Sequence, residues 1–181
     1  MQIKDSVVFI TGANRGLGLA FARAALAAGA KKVYGAARDP ASITLAGVTP
    51  VALDVTDAAQ VEAAAQACTD VTLLVNNAGI SRNTNLLGAG AIEAARAELE
   101  TNFFGVWSVT RAFAPVLARN GGGAVLNVLS ALAWTTFPGV ATYSTSKSAA
   151  WSLSNGLRNE LVAQGTQVTS LHVGYMDTDM A

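Results

Sequence analysis

A continuous apolar run, Val7-Val8-Phe9-Ile10-Thr11, passes into a glycine-punctuated turn, Gly12-Ala13-Asn14-Arg15-Gly16-Leu17-Gly18, and then into an alanine-rich helix. No other feature limits the fold as much. A strand that is apolar at every position has to be covered on both faces, which is the condition of a parallel sheet flanked by helices. Glycines between strand and helix permit a tight turn and a close approach of backbone to whatever the helix N-terminus binds.

The remainder continues the alternation. The first helix is predicted over residues 16–28, with Gly29 placed for a left-handed closing turn. Further strands are predicted at residues 32–37, 51–54, 71–76, 124–129 and 167–173. An alanine-rich helix is expected over 58–68 and another over 143–164. A long helix over 92–118 should bend near Gly105 and again near Pro115. The 38–48 connection carries proline and glycine and has room only for a short turn or loop. The pattern predicts a doubly wound, Rossmann-type parallel sheet in three α/β/α layers, one dinucleotide-binding domain over residues 1–181.

Composition narrows the function classes. Hydrophobic residues make up 51% of the chain and charged residues 13%, about half the usual charged share. That suits a sheet covered on both sides and suggests some outer surface is covered by partner subunits. Lys plus Arg equals Asp plus Glu at 12 each, so no global field favours nucleic acid or an acidic membrane surface. Cys68 is the only cysteine; it excludes an internal disulfide, and its apolar helical setting predicts a buried, inert thiol. With no apolar leader at the start and no run of about eighteen apolar residues, a cytoplasmic protein is expected. One histidine and no acidic cluster point to no metal site.

The glycine turn sits where a helix N-terminus offers unpaired N–H groups and positive dipole to phosphate, so dinucleotide binding is its expected use. The end of the second strand should carry the residue that reads the ribose. There the sequence is Ala36-Ala37-Arg38-Asp39. Arg38, with Arg15 from the glycine turn, could clamp a 2′-phosphate through paired hydrogen bonds, which favours NADP. Asp39 leaves NAD open, since it could turn to the ribose hydroxyls.

Tyr143-Ser144-Thr145-Ser146-Lys147 carries the candidate chemistry. At the start of a helix, Tyr143 and Lys147 fall on one face, one turn apart. A cation about 5 Å from the phenol, at an effective dielectric near 20, stabilises the phenolate by roughly 3 kcal/mol. The expectation is therefore a phenol lowered toward neutrality, usable as acid and base. Ser130 ends the fifth strand at the carboxyl edge of the sheet, where its hydroxyl could donate to a substrate oxygen or simply cap the next segment. His172 is expected to be structural.

With these residues in view, the chain resembles the short-chain dehydrogenase/reductase family over nearly its whole length. Thr11 to Gly18 matches the family's glycine turn, and Asp54-Val55 matches the segment that contacts adenine. Asn76-Asn77-Ala78-Gly79 matches the motif after the fourth strand. Asn102, Ser130, Tyr143 and Lys147 match the catalytic tetrad, with the usual thirteen-residue step from serine to tyrosine. After the sixth strand Val173 replaces the family's proline, while Gly174 and Thr178 keep the spacing of a nicotinamide-binding pair.

The resemblance implies a carbonyl-reductase-like oxidoreductase moving hydride between NADP(H) and a carbonyl or alcohol. In it, Tyr143 would exchange the proton, and Lys147 would bind the nicotinamide ribose and lower the phenol's pKa. Ser130 would orient the carbonyl, and Asn102 would help hold a proton-relaying water. The implied cofactor contacts are Gly12, Asn14, Arg15, Gly16, Leu17, Gly18, Arg38, Asp54, Val55, Asn77, Ala78, Gly79, Tyr143, Lys147, Gly174 and Thr178. Members usually continue with a substrate-covering segment, another helix and a seventh strand, so the sequence is expected to be an incomplete copy of that domain.

Residues 81–83 and the stretch from Ala131 to Gly139, including Trp134 and Phe137, are the candidate pocket walls. Two other functions remain open: an NAD-dependent epimerase or dehydratase, and a non-catalytic NADP-binding sensor or scaffold. The helices over 92–118 and 143–164 are expected to pair across a two-fold axis in a homodimer or homotetramer.

Overall fold

The computed structural model describes residues 2–176. In chain order the elements are β1 (Val7–Thr11), α1 (Gly16–Ala27), β2 (Lys32–Ala37), β3 (Val48–Ala52), α2 (Ala58–Ala67) and β4 (Leu73–Asn76). They continue with α3 (Ala91–Leu99), α4 (Val106–Arg119), β5 (Ala124–Ser130), α5 (Ala141–Leu161) and β6 (Gln167–Val173). The six strands form one parallel sheet in the order β3-β2-β1-β4-β5-β6. The order reverses between β1 and β4, and the crevice at such a reversal, beyond the strands' carboxyl ends, is where open α/β sheets bind ligands.

Both faces of β1 are covered, as its unbroken apolar run requires. Phe9 packs with Leu74, Phe113, Leu117 and Leu161 on the side of α2, α4 and α5. Val8 and Ile10 pack with Val33, Val75 and the α1 alanines Ala22 and Ala25 on the other. Alternate residues of one strand thus feed two separate cores. The Phe9 and Phe113 rings lie 4.6 Å apart at the middle of the larger one.

Two elements differ from the sequence reading. β3 begins at Val48, three residues before the predicted 51–54, and includes Pro50. Proline is tolerated there because β3 is an edge strand, where a missing N–H need not break a ladder on both sides. The long helix predicted over 92–118 is two helices joined by a π-helical segment, Glu100–Gly105. Pro115 lies inside α4 without ending it. The wider π turn brings Gly105 against α2's approach loop: a Cβ there would meet Val55 Cγ2 at 2.8 Å. Single π turns are frequent at functional sites, and this one holds Asn102.

Candidate active site

A cleft of about 1330 Å³ runs along the carboxyl ends of the strands, larger than the usual small-molecule pocket. Its walls come from the β1–α1 turn, the end of β2, the loops after β3 and β4, the end of β5 and the start of α5.

One end is built from glycine. Gly12 and Gly16 have φ of +66° and +53°, a backbone that side chains resist. Gly18 is required for a different reason: a Cβ on it would lie 2.1 Å from Gly12 O and 2.5 Å from Asn77 Nδ2. Asn77 Nδ2 donates to Thr11 O at 3.0 Å and Gly12 O at 3.1 Å. Thr11 Oγ1 accepts from the Asn77 and Ala78 N–H groups, both at 3.0 Å. The glycine turn and the β4 loop are therefore one locked unit. The N-cap residue, Arg15, makes no side-chain capping bond to the first turn of α1, whose N–H groups point to the end of the cleft where an anion would bind.

Arg15 and Arg38 both line this end. Asp39 lines it too, with its Oδ1 accepting from Ala41 N at 3.0 Å and capping a short helical turn, Pro40–Ser42. Asp54 accepts from Thr56 N at 2.9 Å and Thr56 Oγ1 at 2.7 Å. Those bonds, with the nearby Arg38 guanidinium, hold its carboxyl below the usual value.

At the other end Ser130, Tyr143 and Lys147 face one another across the cleft floor. Lys147 is buried, with Nζ 5.7 Å from the Tyr143 ring centroid and donating to Val128 O at 3.0 Å. Burial depresses the Lys147 pKa to about 8. The expected lowering of the Tyr143 phenol is overturned. Burial raises it and the Glu98 carboxylate adds to the rise, while hydrogen bonding with Ser130 pulls the opposite way. A cation one turn away is not decisive when desolvation acts on the phenol and on that cation alike.

Ser130 Oγ accepts from Leu132 N at 3.1 Å. It does cap the next turn, yet its O–H is still left to donate into the cleft. Asn102 stands behind the cleft, fully buried. Its Oδ1 accepts from Ile80 N, and its Nδ2 donates to Ile80 O and Ser146 Oγ, each at 2.9 Å. Gly79 separates Asn102 from Lys147: a Cβ on it would stand 3.1 Å from Asn102 Oδ1 and 3.6 Å from Lys147 Nζ.

Most of the sequence-derived cofactor residues line the cleft, among them Asn14, Leu17, Val55, Ala78 and Gly174. Gly18 and Asn102 shape it from behind, and Thr178 lies outside the described residues. Ser81, Arg82, Asn83 and Phe137 line the substrate end; Trp134 does not. It stacks instead on His172, centroids 4.1 Å apart, while His172 Nδ1 lies 3.1 Å from Ser130 O.

Sequence reasoning missed Ser146, which donates to Tyr143 O at 2.7 Å and accepts from Asn102. It also missed Glu98, a fully buried acid four residues before Asn102. That helical spacing, placing an acid on the same face as a site residue, was the available signal. Fit to a dinucleotide is good: a glycine cradle that a Cβ would fill, the first-turn N–H groups of α1, and two guanidinium side chains at the same end.

Fold and cleft together define a Rossmann-type, dinucleotide-binding protein. The sequence profile of the short chain dehydrogenase family matches residues 6–181, and the chain belongs to that family. It is similar to a short chain dehydrogenase from Burkholderia cenocepacia solved in complex with NADP. That match has 44% identity and a TM-score of 0.96, over 99% of this chain and 76% of the other. A 3-ketoacyl-(acyl-carrier-protein) reductase from Brucella melitensis, complexed with NADH, matches at 30% identity and TM-score 0.88, over 99% and 79%. An oxidoreductase of Botryotinia fuckeliana is 35% identical, and the match covers 96% of this chain but only 66% of the relative. The family consists of oxidoreductases that use a nicotinamide cofactor on small molecules. Among the described residues no helix is long and apolar enough to cross a membrane.

Proposed function

We propose that the chain is an NADPH-dependent reductase of small carbonyl compounds, with Tyr143 as proton donor. The observation that carries this is one cleft with a glycine-and-guanidinium end and a Ser130–Tyr143–Lys147 end. When bound, the nicotinamide supplies the hydride. Tyr143 holds the proton at its Oη: a phenol is protonated at neutral pH, and burial raises this one further. Ser130 offers its O–H to the same oxygen, where negative charge develops. Lys147 keeps donors for a ribose hydroxyl beyond the one used on Val128. Asn102 fixes the Ile80 backbone beneath both.

NADP over NAD is supported by Arg15 and Arg38 at one end of the cleft and by Asp39 spending one carboxylate oxygen on its own turn. The Burkholderia relative's NADP complex agrees. A homodimer or homotetramer through α3, α4 and α5 is part of the proposal. Exposed Ile92, Trp107 and Trp151 on those helices, with Phe104 on the π-helical segment between α3 and α4, support it, and light scattering giving a monomer would contradict it. A cytoplasmic location completes the reading.

The test follows NADPH and NADH absorbance with benzaldehyde, cyclohexanone, ethyl acetoacetate and menadione. Turnover of at least one with NADPH, and tighter binding of NADPH than NADH, is the expected result. No turnover of any compound, or tighter NADH binding, would overturn the proposal.

A further inference from the structure

Glu98 is 0% exposed, yet it does not line the cleft and the chemistry above makes no use of it. From α3 its Oε1 accepts from the backbone N–H of Arg82 at 2.7 Å. Oε2 is buried with no hydrogen-bond partner among the described residues. Arg82 belongs to the segment after β4 that forms the substrate end of the cleft, together with Ile80, Ser81 and Asn83. That segment is tied at alternate residues: Ile80 to Asn102, Arg82 to Glu98, and Thr84 O to Thr142 Oγ1 at 3.5 Å. Asn83 holds φ of +51°, a backbone that persists only when its surroundings fix it. The Glu98 bond is the middle tie, next to that residue.

We propose that Glu98 is a positioning residue: its buried carboxylate fixes the segment over residues 80–84 as the substrate wall opposite Ser130 and Tyr143. This rests on the reductase reading and deepens it. Anchoring one N–H needs one acceptor oxygen, which a neutral amide would supply. A second buried oxygen left unpaired is costly, more so if charged, so anchoring alone does not account for an acid here. The same negative group acts on the Tyr143 phenol, which it raises, so Glu98 bears on the acid of the proposed reaction as well as on the wall. Charged side chains act near the phenol from two elements: Lys147 on α5 and Glu98 on α3.

Two variants separate the roles. Glu98→Gln keeps the acceptor and removes the charge; Glu98→Asp keeps the charge and shortens the reach by one methylene. Steady-state kinetics use whichever panel carbonyl the wild-type protein reduces fastest. Amide hydrogen exchange over residues 80–84 and phenolate titration, with Tyr143→Phe as the subtracting control, need no turnover. Glu98→Asp should raise KM roughly tenfold, the loss of one hydrogen bond to a charged group. It should also speed exchange at Arg82 and leave the phenol high. Glu98→Gln should hold KM within about twofold, keep Arg82 protected and lower the phenol's titration. Unchanged exchange at Arg82 in Glu98→Asp, an unchanged KM in that variant, or an unmoved phenol in Glu98→Gln would overturn the proposal. A wild-type protein inert to the whole panel would sink the reductase reading instead, and exchange and titration would still decide the role of Glu98.

Discussion

Gly18→Ala sets two physical terms against each other. Gly18 is in the first turn of α1, without the positive φ that would forbid a side chain, so alanine should favour the helix by about 1 kcal/mol. Against this, the new Cβ would lie 2.1 Å from Gly12 O and 2.5 Å from Asn77 Nδ2. Neither is the free end of a flexible chain. Gly12 O is backbone in a left-handed turn, and Asn77 Nδ2 is held by two hydrogen bonds. Relief requires α1 to move roughly 1 Å off the turn, at an overpacking cost of about 1–3 kcal/mol. Loosening the two Asn77 bonds adds about 1 kcal/mol each. The net is a loss of roughly 2–4 kcal/mol, or about 4–16 °C in Tm for a domain of this size. Because the displaced turn is also the phosphate cradle, NADPH affinity should fall at least tenfold. Thermal denaturation and NADPH titration measure the two. A Tm equal to or above wild type with unchanged NADPH affinity would refute the reasoning, because it would mean that helix and turn do not pack as closely as described.

Three further outcomes follow from the same geometry. Burial depresses the Lys147 pKa from 10.5 to about 8, so the folded protein binds fewer protons than the unfolded chain between those values. Stability should therefore rise with pH across that window. Lys147→Met removes a cost of about 3 kcal/mol at pH 7 but strands the Val128 carbonyl, at about 1–2 kcal/mol. Its Tm at pH 7 should rise by the equivalent of about 1–2 kcal/mol, a gain lost by about pH 10. A loss of Tm at pH 7 would contradict this. Asn102→Ala orphans both the N–H and the C=O of Ile80 and should cost about 2–4 kcal/mol in denaturant unfolding; a change under about 1 kcal/mol would show that Ile80 is held otherwise. Arg38→Ala should weaken NADPH about tenfold or more and leave NADH unchanged in fluorescence titrations, whereas equal losses would remove the 2′-phosphate role.

Much of the fold was readable because its determinants are local. Val7 to Thr11 has no polar face, so it needed a covered parallel sheet, and Gly29 marked the end of α1 by its left-handed turn. The site motifs were readable because each sits at a strand's carboxyl end in fixed order. Where reading failed, a distant group decided. The strand predicted over 51–54 in fact starts at Val48 and takes in Pro50, which only an edge position allows. The π turn at Glu100–Gly105 answers to packing against Val55, which no local periodicity reports. The phenol's direction was misjudged because spacing shows how near Lys147 lies, but not how dry both groups are or that Glu98 approaches from another helix.

The most direct test of the account is single-turnover reduction with Tyr143→Phe at saturating NADPH. The ring stays, and the hydroxyl that carries the proton leaves. NADPH should bind as in the wild type, while the rate of hydride transfer falls by about 10²–10⁴. A rate within a few-fold of the wild type would show that the proton comes from elsewhere and that Tyr143 is not the acid.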